Sequence, residues 1–235
     1  MISAKSATVA NRLLASLPEK DGRRLLAECE PVMLEFAEVL SEPGTPIQHV
    51  YFPTGSYIAV VEQIDGHASL EVGLVGNEGM LGTALVLGVD VSPLHAVVQG
   101  PGPALRLDAA SFVRELEASQ DLRRVLKHYL YITMQQLAQS AACTHFHMVE
   151  ARLARWLLTA QDRAHSNRFH VTHECLAYLL GVRRVGITRA ATALHNRKLI
   201  DYSRGDVTIL DRAGLKAASC GCYAADKANY ARMKG

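Results

Sequence analysis

The sequence predicts an α+β protein with three parts in chain order: an antiparallel β-roll of jelly-roll type, a long helix, and two short helices followed by a β-ribbon. Three observations predict this order. Short β-prone segments recur between turn signals up to residue 108, a heptad-like pattern follows them, and the last third combines helix-turn-helix spacing with an excess of basic residues. We expect the parts to cover 1–118, 119–147 and 148–235.

The β-roll is predicted from segments of four to eight β-prone residues at roughly ten-residue intervals. One or two short helices, at 11–17 and 21–29, precede these segments. Pro43-Gly44 and Gly100-Pro101-Gly102 are typical of the turns between them, and Asp65-Gly66 is the clearest hairpin signal. The expected strands are 32–40, 50–52, 57–63, 69–75, 95–99 and 104–107.

A long helix is predicted after the roll. Asp108 is expected to cap a short helix that ends at 117, and Ser119 a second helix that reaches about 145, roughly 40 Å at 1.5 Å per residue. Steps of four and three mark a seam on this helix, formed by Leu122, Leu126, Tyr129, Thr133, Gln136, Ser140 and Cys143. A second stripe consists of Leu130, Leu137 and Ala141.

Two faces on one helix require two partners. We expect the seam, chiefly its apolar half Leu122, Leu126 and Tyr129, to meet the same helix of a second subunit, and the second stripe to meet the roll of its own subunit. The alternative is one helix that is buried twice within a monomer.

A helix-turn-helix is predicted over residues 172–200. Ala177 is small where two helices cross, Gly181 lies four residues later at the turn, and Ile187 returns six residues on to pack against the first helix. Further apolar contacts are expected from Leu176, Leu180, Val182 and Leu194. The outward side of the second helix carries Arg183, Arg184, Thr188, Arg189 and Thr192. An ordinary αα-hairpin has the same spacing, so the residues that follow decide between the two.

A hairpin turn is predicted at Arg204-Gly205-Asp206, between Tyr202 and the alternating pair Val207 and Ile209. A helix-turn-helix followed by a small β-ribbon is a winged helix. In that arrangement the outward side of the second helix meets a major groove of DNA. We expect Thr172 and Arg204 to join the same DNA-contacting face.

Charge is segregated along the chain. Residues 144–235 contain 15 Lys and Arg against 7 Asp and Glu, a net charge of +8, whereas residues 1–143 contain 10 against 16, a net charge of −6. Cations placed against phosphates supply much of the affinity for nucleic acids. The segregation therefore favours a DNA-binding module joined to a part that does not bind DNA.

Length and composition fit two packed cores, since 49% of the 235 residues are hydrophobic and 20% are charged. The first twenty residues lack an uninterrupted apolar stretch, and no run of 18 apolar residues occurs, so we expect neither secretion nor a membrane partner. Five cysteines at irregular spacing argue against a disulfide framework and favour a cytoplasmic protein.

The order of parts, together with residues 150–158, 172–182 and 199–205, resembles the Crp/Fnr family of bacterial transcription regulators. Residues 50–53, 65–66 and 71–73 are similar to the sensor half of that family. The resemblance covers essentially the whole chain. It implies a homodimer that binds a roughly palindromic operator on double-stranded DNA and contacts RNA polymerase to control initiation.

The resemblance also implies which residues touch DNA. Counted from Gly181, the family's base and phosphate contacts fall on Arg184, Val185 and Arg189. The guanidinium fork of Arg can donate to both O6 and N7 of guanine. Val185 departs from well-known members, which carry a Glu that can accept from cytosine N4, so the familiar operator is not expected and contact with a thymine methyl is one replacement.

The resemblance does not extend to the motifs that bind the family's cyclic-nucleotide effector. The family binds cyclic nucleotides with a Gly-Glu-Leu segment followed by an Arg-Ser pair, whereas residues 76–99 contain Glu78 and Gly79 but neither motif. No Lys or Arg occurs from Leu25 to Leu105, a span of 81 residues with ten acids. An anionic nucleotide would find no cation inside this roll, although backbone N–H groups or Arg123, Arg124 and Lys127 could supply charge from outside.

We therefore expect no control by cyclic AMP in the usual pocket. A neutral or apolar ligand, a protein contact, redox chemistry or no effector at all stays open, and no cofactor is predicted.

The cysteines predict no metal site. Only Cys29 precedes residue 143, which excludes the N-terminal four-thiolate loop by which Fnr-type members hold an iron–sulfur cluster. Cys143 and His147 share a helical face, with His145 nearby, and could bind a metal or sense oxidants. Two ligands do not make a site, so a polar hinge is the preferred interpretation. Cys220-Gly221-Cys222 has no evident further ligands and is interpreted as a structural segment.

Two other function classes differ from a regulator in their sequence requirements. An enzyme is not expected, because the chain contains no nucleophile elbow, P-loop, dinucleotide fingerprint or zinc-hydrolase pair. The second class is a sensor or adaptor that acts through protein partners rather than DNA. Such a protein would keep the roll and the seam but would lack the segregated basic C-terminal part.

Overall fold

A computed structural model of the chain describes residues 11–64 and 68–231. The chain divides into two compact units. The first consists of Met1–Val60, Leu74–Gln135 and Tyr230–Gly235, and the second of Val61–Gly73 and Gln136–Asn229. Within the described residues, none of the helices combines the length and apolar character needed to cross a bilayer.

The β-roll begins after two short helices, α1 (Arg12–Ala15) and α2 (Glu19–Ala27). Its strands in the described part are β1 (Glu30–Leu34), β2 (Val39–Ser41), β3 (His49–Pro53), β4 (Tyr57–Ile64), β5 (Ala68–Val75), β6 (His95–Gly100) and β7 (Gly102–Asp108), with a 3-10 segment at Thr83–Leu87. They form a sheet of order β1-β7-β3 and another of order β2-β6-β4-β5. The strands pair antiparallel, with Leu34 opposite Gly102 and Val50 opposite Leu107.

The expected strand at 32–40 is two strands. Between β1 and β2 the chain turns, Ala37 has a φ of 63°, and the Glu38 carboxylate accepts a hydrogen bond of 2.9 Å from the Glu35 N–H. This closure of the loop on itself separates the two sheets. The Asp65-Gly66 turn lies outside the described residues, although the strands that flank it, β4 and β5, are neighbours in one sheet.

Two helices follow the roll, α3 (Ala109–Ala118) and the long α4 (Gln120–Phe146). Both begin at the predicted caps. The Asp108 carboxylate accepts from the N–H groups of Ala110 and Ser111 at 2.9 and 3.1 Å, and the Ser119 hydroxyl accepts from the Leu122 N–H at 3.0 Å. These bonds satisfy helix N–H groups that have no partner within the helix.

The apolar half of the predicted seam of α4 faces the core of the roll. Leu122, Leu126 and Tyr129 are 2%, 1% and 3% exposed and belong to one core cluster with Phe52 and Phe112. The expectation that these three side chains meet a second subunit is wrong, because they are already covered by the roll. Thr133, Gln136 and Ser140 are partly exposed.

The second stripe of α4 is the exposed one, contrary to the prediction that it packs on the roll. Leu137 of this stripe is 40% exposed. Tyr131 and Met134, which are not part of the predicted stripe but lie on the same side of the helix, are 56% and 67% exposed. Ala141 is exposed on the same side and Leu130 is partly exposed. We call Leu130, Tyr131, Met134, Leu137, Ala138 and Ala141 the outer stripe of α4.

The second unit contains a further set of elements in the order helix, strand, two helices, hairpin, two helices. They are α5 (Val149–Ala164), β8 (Arg168–His170), α6 (His173–Leu180), α7 (Arg184–Asn196), β9 (Ile200–Ser203), β10 (Asp206–Ile209), α8 (Arg212–Ala218) and α9 (Cys222–Ala231). The three strands form an antiparallel sheet of order β8-β10-β9. Trp156 of α5 is buried in this part of the chain.

Candidate nucleic-acid interface

Helices α6 and α7 form the predicted helix-turn-helix. The Thr172 hydroxyl caps α6 by accepting a 3.1 Å hydrogen bond from the Cys175 N–H. Gly181 ends α6 in the left-handed conformation with a φ of 61°, which glycine adopts without the steric penalty of a Cβ. The chain can therefore reverse within the three residues Gly181 to Arg183 before α7 begins.

Apolar contacts fix the inner side of the motif. Ile187 and Leu194 of α7 are fully buried, and so are Leu176 and Leu179 of α6. Leu179 is absent from the predicted contacts, although its place three residues after Leu176 sets it on the same helix face. With this side buried, the opposite side of α7 is turned to solvent.

The outward side of α7 carries all the residues predicted there. Arg183, Arg184, Val185, Thr188, Arg189 and Thr192 are each exposed. Val185 is 54% exposed, although it is apolar. An exposed valine between arginines has no packing role within the described residues, so its side chain is available to a partner.

The arginines on this side have no acidic partner. Among the residues that the structure describes, Arg183, Arg184, Arg189 and Arg204 form no ion pair. Other cations of the second unit are paired: Arg155 with Asp226, Arg168 with Asp206, Arg197 with Glu150 and Arg212 with Asp162, at 2.6 to 2.9 Å. The acids of these pairs are thus engaged with other cations, and within the described residues no ion pair neutralises the arginines on the outward side of α7.

The wing is the β9–β10 hairpin, and Arg204 lies at its tip. Arg204 and Gly205 have φ values of 51° and 90°, the left-handed pair required by a tight two-residue hairpin turn. A Cβ on Gly205 would lie 2.5 Å from His170 Cε1, so the turn also needs glycine for space. Arg204 and Thr172 are both exposed.

His173 is a residue of this face that the sequence does not identify. Its ring stacks on Tyr202 with centroids 4.3 Å apart, and its Nδ1 lies 3.1 Å from the Thr188 hydroxyl oxygen. Thr188 in turn donates to the Arg184 carbonyl at 3.1 Å. Burial, and then the charge of Arg184, lower the pKa of His173 below its usual value. The only sequence signal is its position directly after the Thr172 cap.

Inside the roll, the segment around Gly79 is closed by the long helix. The Tyr129 hydroxyl accepts from the Met80 N–H at 3.2 Å, and a Cβ on Gly79 would lie 2.0 Å from that hydroxyl. Two cations that the sequence places after this segment are paired: Arg106, in β7 of the roll, with Glu30 at 2.6 Å, and Arg124 of α4 with Asp121 at 2.7 Å. This segment therefore presents a phenol rather than a positive charge.

Comparison with known families decides what the second unit contains. Residues 151–218 match the family model of the Crp-like helix-turn-helix domain. This segment is therefore similar to a Crp-like helix-turn-helix domain, and we call it the Crp-like domain. The Crp-like domain thus includes both helices of the motif, the wing and all eight predicted DNA-contacting residues. A comparison with curated proteins gave no match.

Most of the chain has a fold similar to that of solved Crp/Fnr regulators. A putative transcriptional regulator of the crp/fnr family from Eubacterium rectale superposes with a TM-score of 0.70 at 14% identity, over 89% of this chain and 98% of that one. FixK2 from Bradyrhizobium japonicum gives 0.68 at 12%, over 82% and 98%. A CRP/FNR-family regulator from Thermus thermophilus gives 0.67 at 19%, over 81% and 98%. The predicted fold, with its roll and its Crp-like domain, is confirmed.

Proposed function

We propose that the protein is a dimeric, sequence-specific DNA-binding transcription regulator of the Crp/Fnr type that acts in the bacterial cytoplasm. The observation that carries the proposal is the outward side of α7, where exposed arginines without acidic partners among the described residues surround an exposed valine. Unpaired cations gathered in one place do not stabilise the folded domain. They do increase its affinity for a phosphate backbone.

The proposed DNA contacts form two groups, contacts to base edges and contacts to the sugar-phosphate backbone. Arg184 and Arg189, on consecutive turns of α7, are proposed to enter the major groove and donate to guanine edges. Val185 between them offers a methyl contact to thymine. Thr172, Arg183, Thr188, Thr192 and Arg204 are proposed to contact the backbone, which fixes the register of the helix but carries no sequence information.

The dimer is proposed to form through the outer stripe of α4, which replaces the seam predicted from the sequence. Tyr131, Met134, Ala138 and Ala141 follow one another in steps of three and four, the spacing of a coiled-coil face. Their exposure leaves an apolar surface of the kind that marks protein interfaces. Two-fold symmetry would then place two α7 helices about 34 Å apart on a palindromic operator.

Control by cyclic AMP in the usual pocket is not part of the proposal. The roll supplies no cation between Leu25 and Leu105, and the Met80 N–H is already bonded to Tyr129. A phosphate there would have to displace this hydrogen bond without gaining a charged partner. Contact with RNA polymerase is proposed from the resemblance to regulators and is tested by transcription in vitro on a selected operator.

Operator selection from random duplex DNA, followed by fluorescence anisotropy, tests the proposal. The full chain should enrich a palindrome and lose affinity steeply as salt rises. Arg184→Ala combined with Arg189→Ala should abolish the preference for that palindrome. Arg23→Ala, which removes an exposed arginine from the first unit, is the matched control and should bind as the parent does.

Absence of duplex binding at low salt would reject the proposal. It would favour instead an adaptor that acts through protein partners.

A further inference from the structure

Three cysteines and a histidine come together at the end of α4. Cys143 lies in the last turn of that helix, His147 follows four residues later, and Cys220 and Cys222 flank the start of α9. Their four ligand atoms all lie within 4.8 Å of one another. The three thiols are buried and the imidazole is partly exposed. We call these four residues the thiol–imidazole cluster.

The cluster corrects the sequence interpretation. The sequence predicts no further ligands for Cys220-Gly221-Cys222 and only an incomplete pair in Cys143 with His147. The chain brings the two pairs together across a sequence separation of 77 residues, and no local pattern in the sequence reports a contact of that range.

Two of the distances within the cluster match those around a single tetrahedral ion. Around Zn²⁺, with Zn–S of about 2.3 Å and Zn–N of about 2.05 Å, tetrahedral angles place two sulfurs about 3.8 Å apart and a sulfur and a nitrogen about 3.6 Å apart. In the cluster, the Sγ atoms of Cys143 and Cys220 are 3.6 Å apart, and Cys222 Sγ is 3.6 Å from His147 Nδ1. None of the cysteines in the described part of the chain forms a disulfide.

Neighbouring side chains already donate to the sulfurs. Gln139, one turn before Cys143, donates from Nε2 to Cys222 Sγ at 2.9 Å. Arg155, which Asp226 holds at 2.7 Å, lies near Cys143. Three thiolates and Zn²⁺ carry a net charge of −1, and a guanidinium beside them compensates it. Outer-shell donors of this kind orient metal ligands and stabilise them.

We propose that Cys143, His147, Cys220 and Cys222 bind one Zn²⁺ ion in a closed, structural site. Three sulfurs and one imidazole leave no open position for substrate, which is the mark of structural rather than catalytic zinc. An iron–sulfur cluster needs ligands on several irons, spread more widely than these four atoms. The ion would join the end of α4 to the start of α9.

Metal analysis of the full chain, purified under reducing conditions, tests the site. One zinc per chain is expected by elemental mass spectrometry. Replacement by Co²⁺ should give the intense visible bands of tetrahedral cobalt together with thiolate charge-transfer absorption. This readout uses the unmodified protein, so it does not depend on whether a variant folds.

Variants locate the ion. Cys143→Ser with Cys222→Ser, and separately His147→Ala, should lose zinc to a chromophoric chelator that the parent resists. Cys29→Ser, Cys175→Ser and His145→Ala are matched controls outside the cluster and should keep it. Gln139→Ala should weaken zinc affinity by about 10- to 100-fold while keeping the cobalt spectrum, as loss of an outer-shell donor would.

The proposal is overturned if the reduced chain takes up neither Zn²⁺ nor Co²⁺, or if the double cysteine variant keeps one zinc per chain. Iron with acid-labile sulfide in anaerobically purified protein would also overturn it. Recovery of a Cys143–Cys220 disulfide from protein that has been reduced and supplied with zinc would do the same. None of these outcomes depends on DNA binding, so the zinc site and the proposed function are tested independently.

Discussion

The ring of His173 stacks on that of Tyr202, with centroids 4.3 Å apart and planes 21° from parallel. This contact joins the first residue of α6 to strand β9 of the wing. Because His173 also reaches the Thr188 hydroxyl on α7, one side chain connects all three elements of the DNA-contacting face. The relative placement of α7 and the wing therefore depends on a residue that is not itself among the proposed DNA contacts.

The stack predicts an acid sensitivity of the Crp-like domain. The pKa of His173 is lowered from 6.5, first by burial and then by Arg184, so below about pH 6.5 the unfolded chain takes up a proton that the folded chain does not. Stability should therefore fall as pH falls through this range. His173→Asn keeps a hydrogen-bonding group near Thr188 but does not titrate, and should lose less stability than the parent between about pH 7.5 and about pH 5.5.

Chemical unfolding followed by the fluorescence of Trp156, the single tryptophan, measures this difference in the second unit. Equal pH dependence in the parent and in His173→Asn would show that the imidazole is not the titrating group.

The outer stripe of α4 predicts the dimer interface. Tyr131→Glu combined with Met134→Glu places charges on an apolar exposed face and should yield monomers that remain folded. Leu126→Glu should instead unfold the roll, because its side chain is 1% exposed in the core. Leu210→Glu, at an exposed position of the second unit, is the control. A dimer that survives the first change in sedimentation would rule out the stripe.

Two glycines of the Crp-like domain should respond in opposite directions to alanine. Gly205 has a φ of 90° and no room for a Cβ beside His170, so Gly205→Ala should destabilise the second unit by about 1–3 kcal/mol. Gly186 in α7 has open space within 4 Å of the position that an alanine Cβ would take, so Gly186→Ala should stabilise the unit by about 0.5–1 kcal/mol. Trp156 fluorescence during urea unfolding measures both, and effects of the same sign would contradict this prediction.

Substitutions of Val185, Arg184 and Arg189 should change the affinity and base preference of operator binding. Arg184→Ala and Arg189→Ala should each cost roughly 1–3 kcal/mol on the selected operator if the side chain contacts a base. If it contacts only phosphate, binding should weaken on every sequence and the salt slope should shrink by about one unit. Val185→Glu should shift preference toward a cytosine edge. If all three variants select the parent operator with parental affinity, α7 does not read the sequence.

Cyclic AMP should not stabilise the protein. A ligand at about 100 times its dissociation constant would add about 2.7 kcal/mol to the free energy of unfolding, so a thermal scan with millimolar nucleotide is a sensitive measurement. We expect no shift, because no Lys or Arg occurs from Leu25 to Leu105 and Tyr129 covers the Met80 N–H. Saturable binding in calorimetry would contradict this.

Much of the fold could be predicted because its signals are local. Asp108 and Ser119 cap α3 and α4 as their positions indicate, and Gly181 ends α6 where a left-handed residue is needed. Each of these features depends on a few consecutive residues and their backbone hydrogen bonds.

The errors concern partners distant in sequence. The period of α4 shows that Leu122 and Tyr131 lie on different faces but not which face the roll covers. The core of the roll covers the side of Leu122, Leu126 and Tyr129. His173 and the thiol–imidazole cluster could not be predicted for the same reason, since each depends on residues brought together only by the tertiary fold.

The contact between Cys143 and Cys220 also indicates where the chain enters and leaves the Crp-like domain. The segment 151–218 begins and ends close to this contact: Ala151 packs against the cluster of Cys143, Cys220 and Cys222, and Cys220, two residues after the segment, has its sulfur 3.6 Å from that of Cys143. A segment whose ends adjoin behaves as a cassette, because it can be exchanged without altering the distance its neighbours must span. Chimaeras that replace 151–218 with the corresponding segment of another regulator, between an unchanged His147 and an unchanged Cys220, are thus a natural route to new operators.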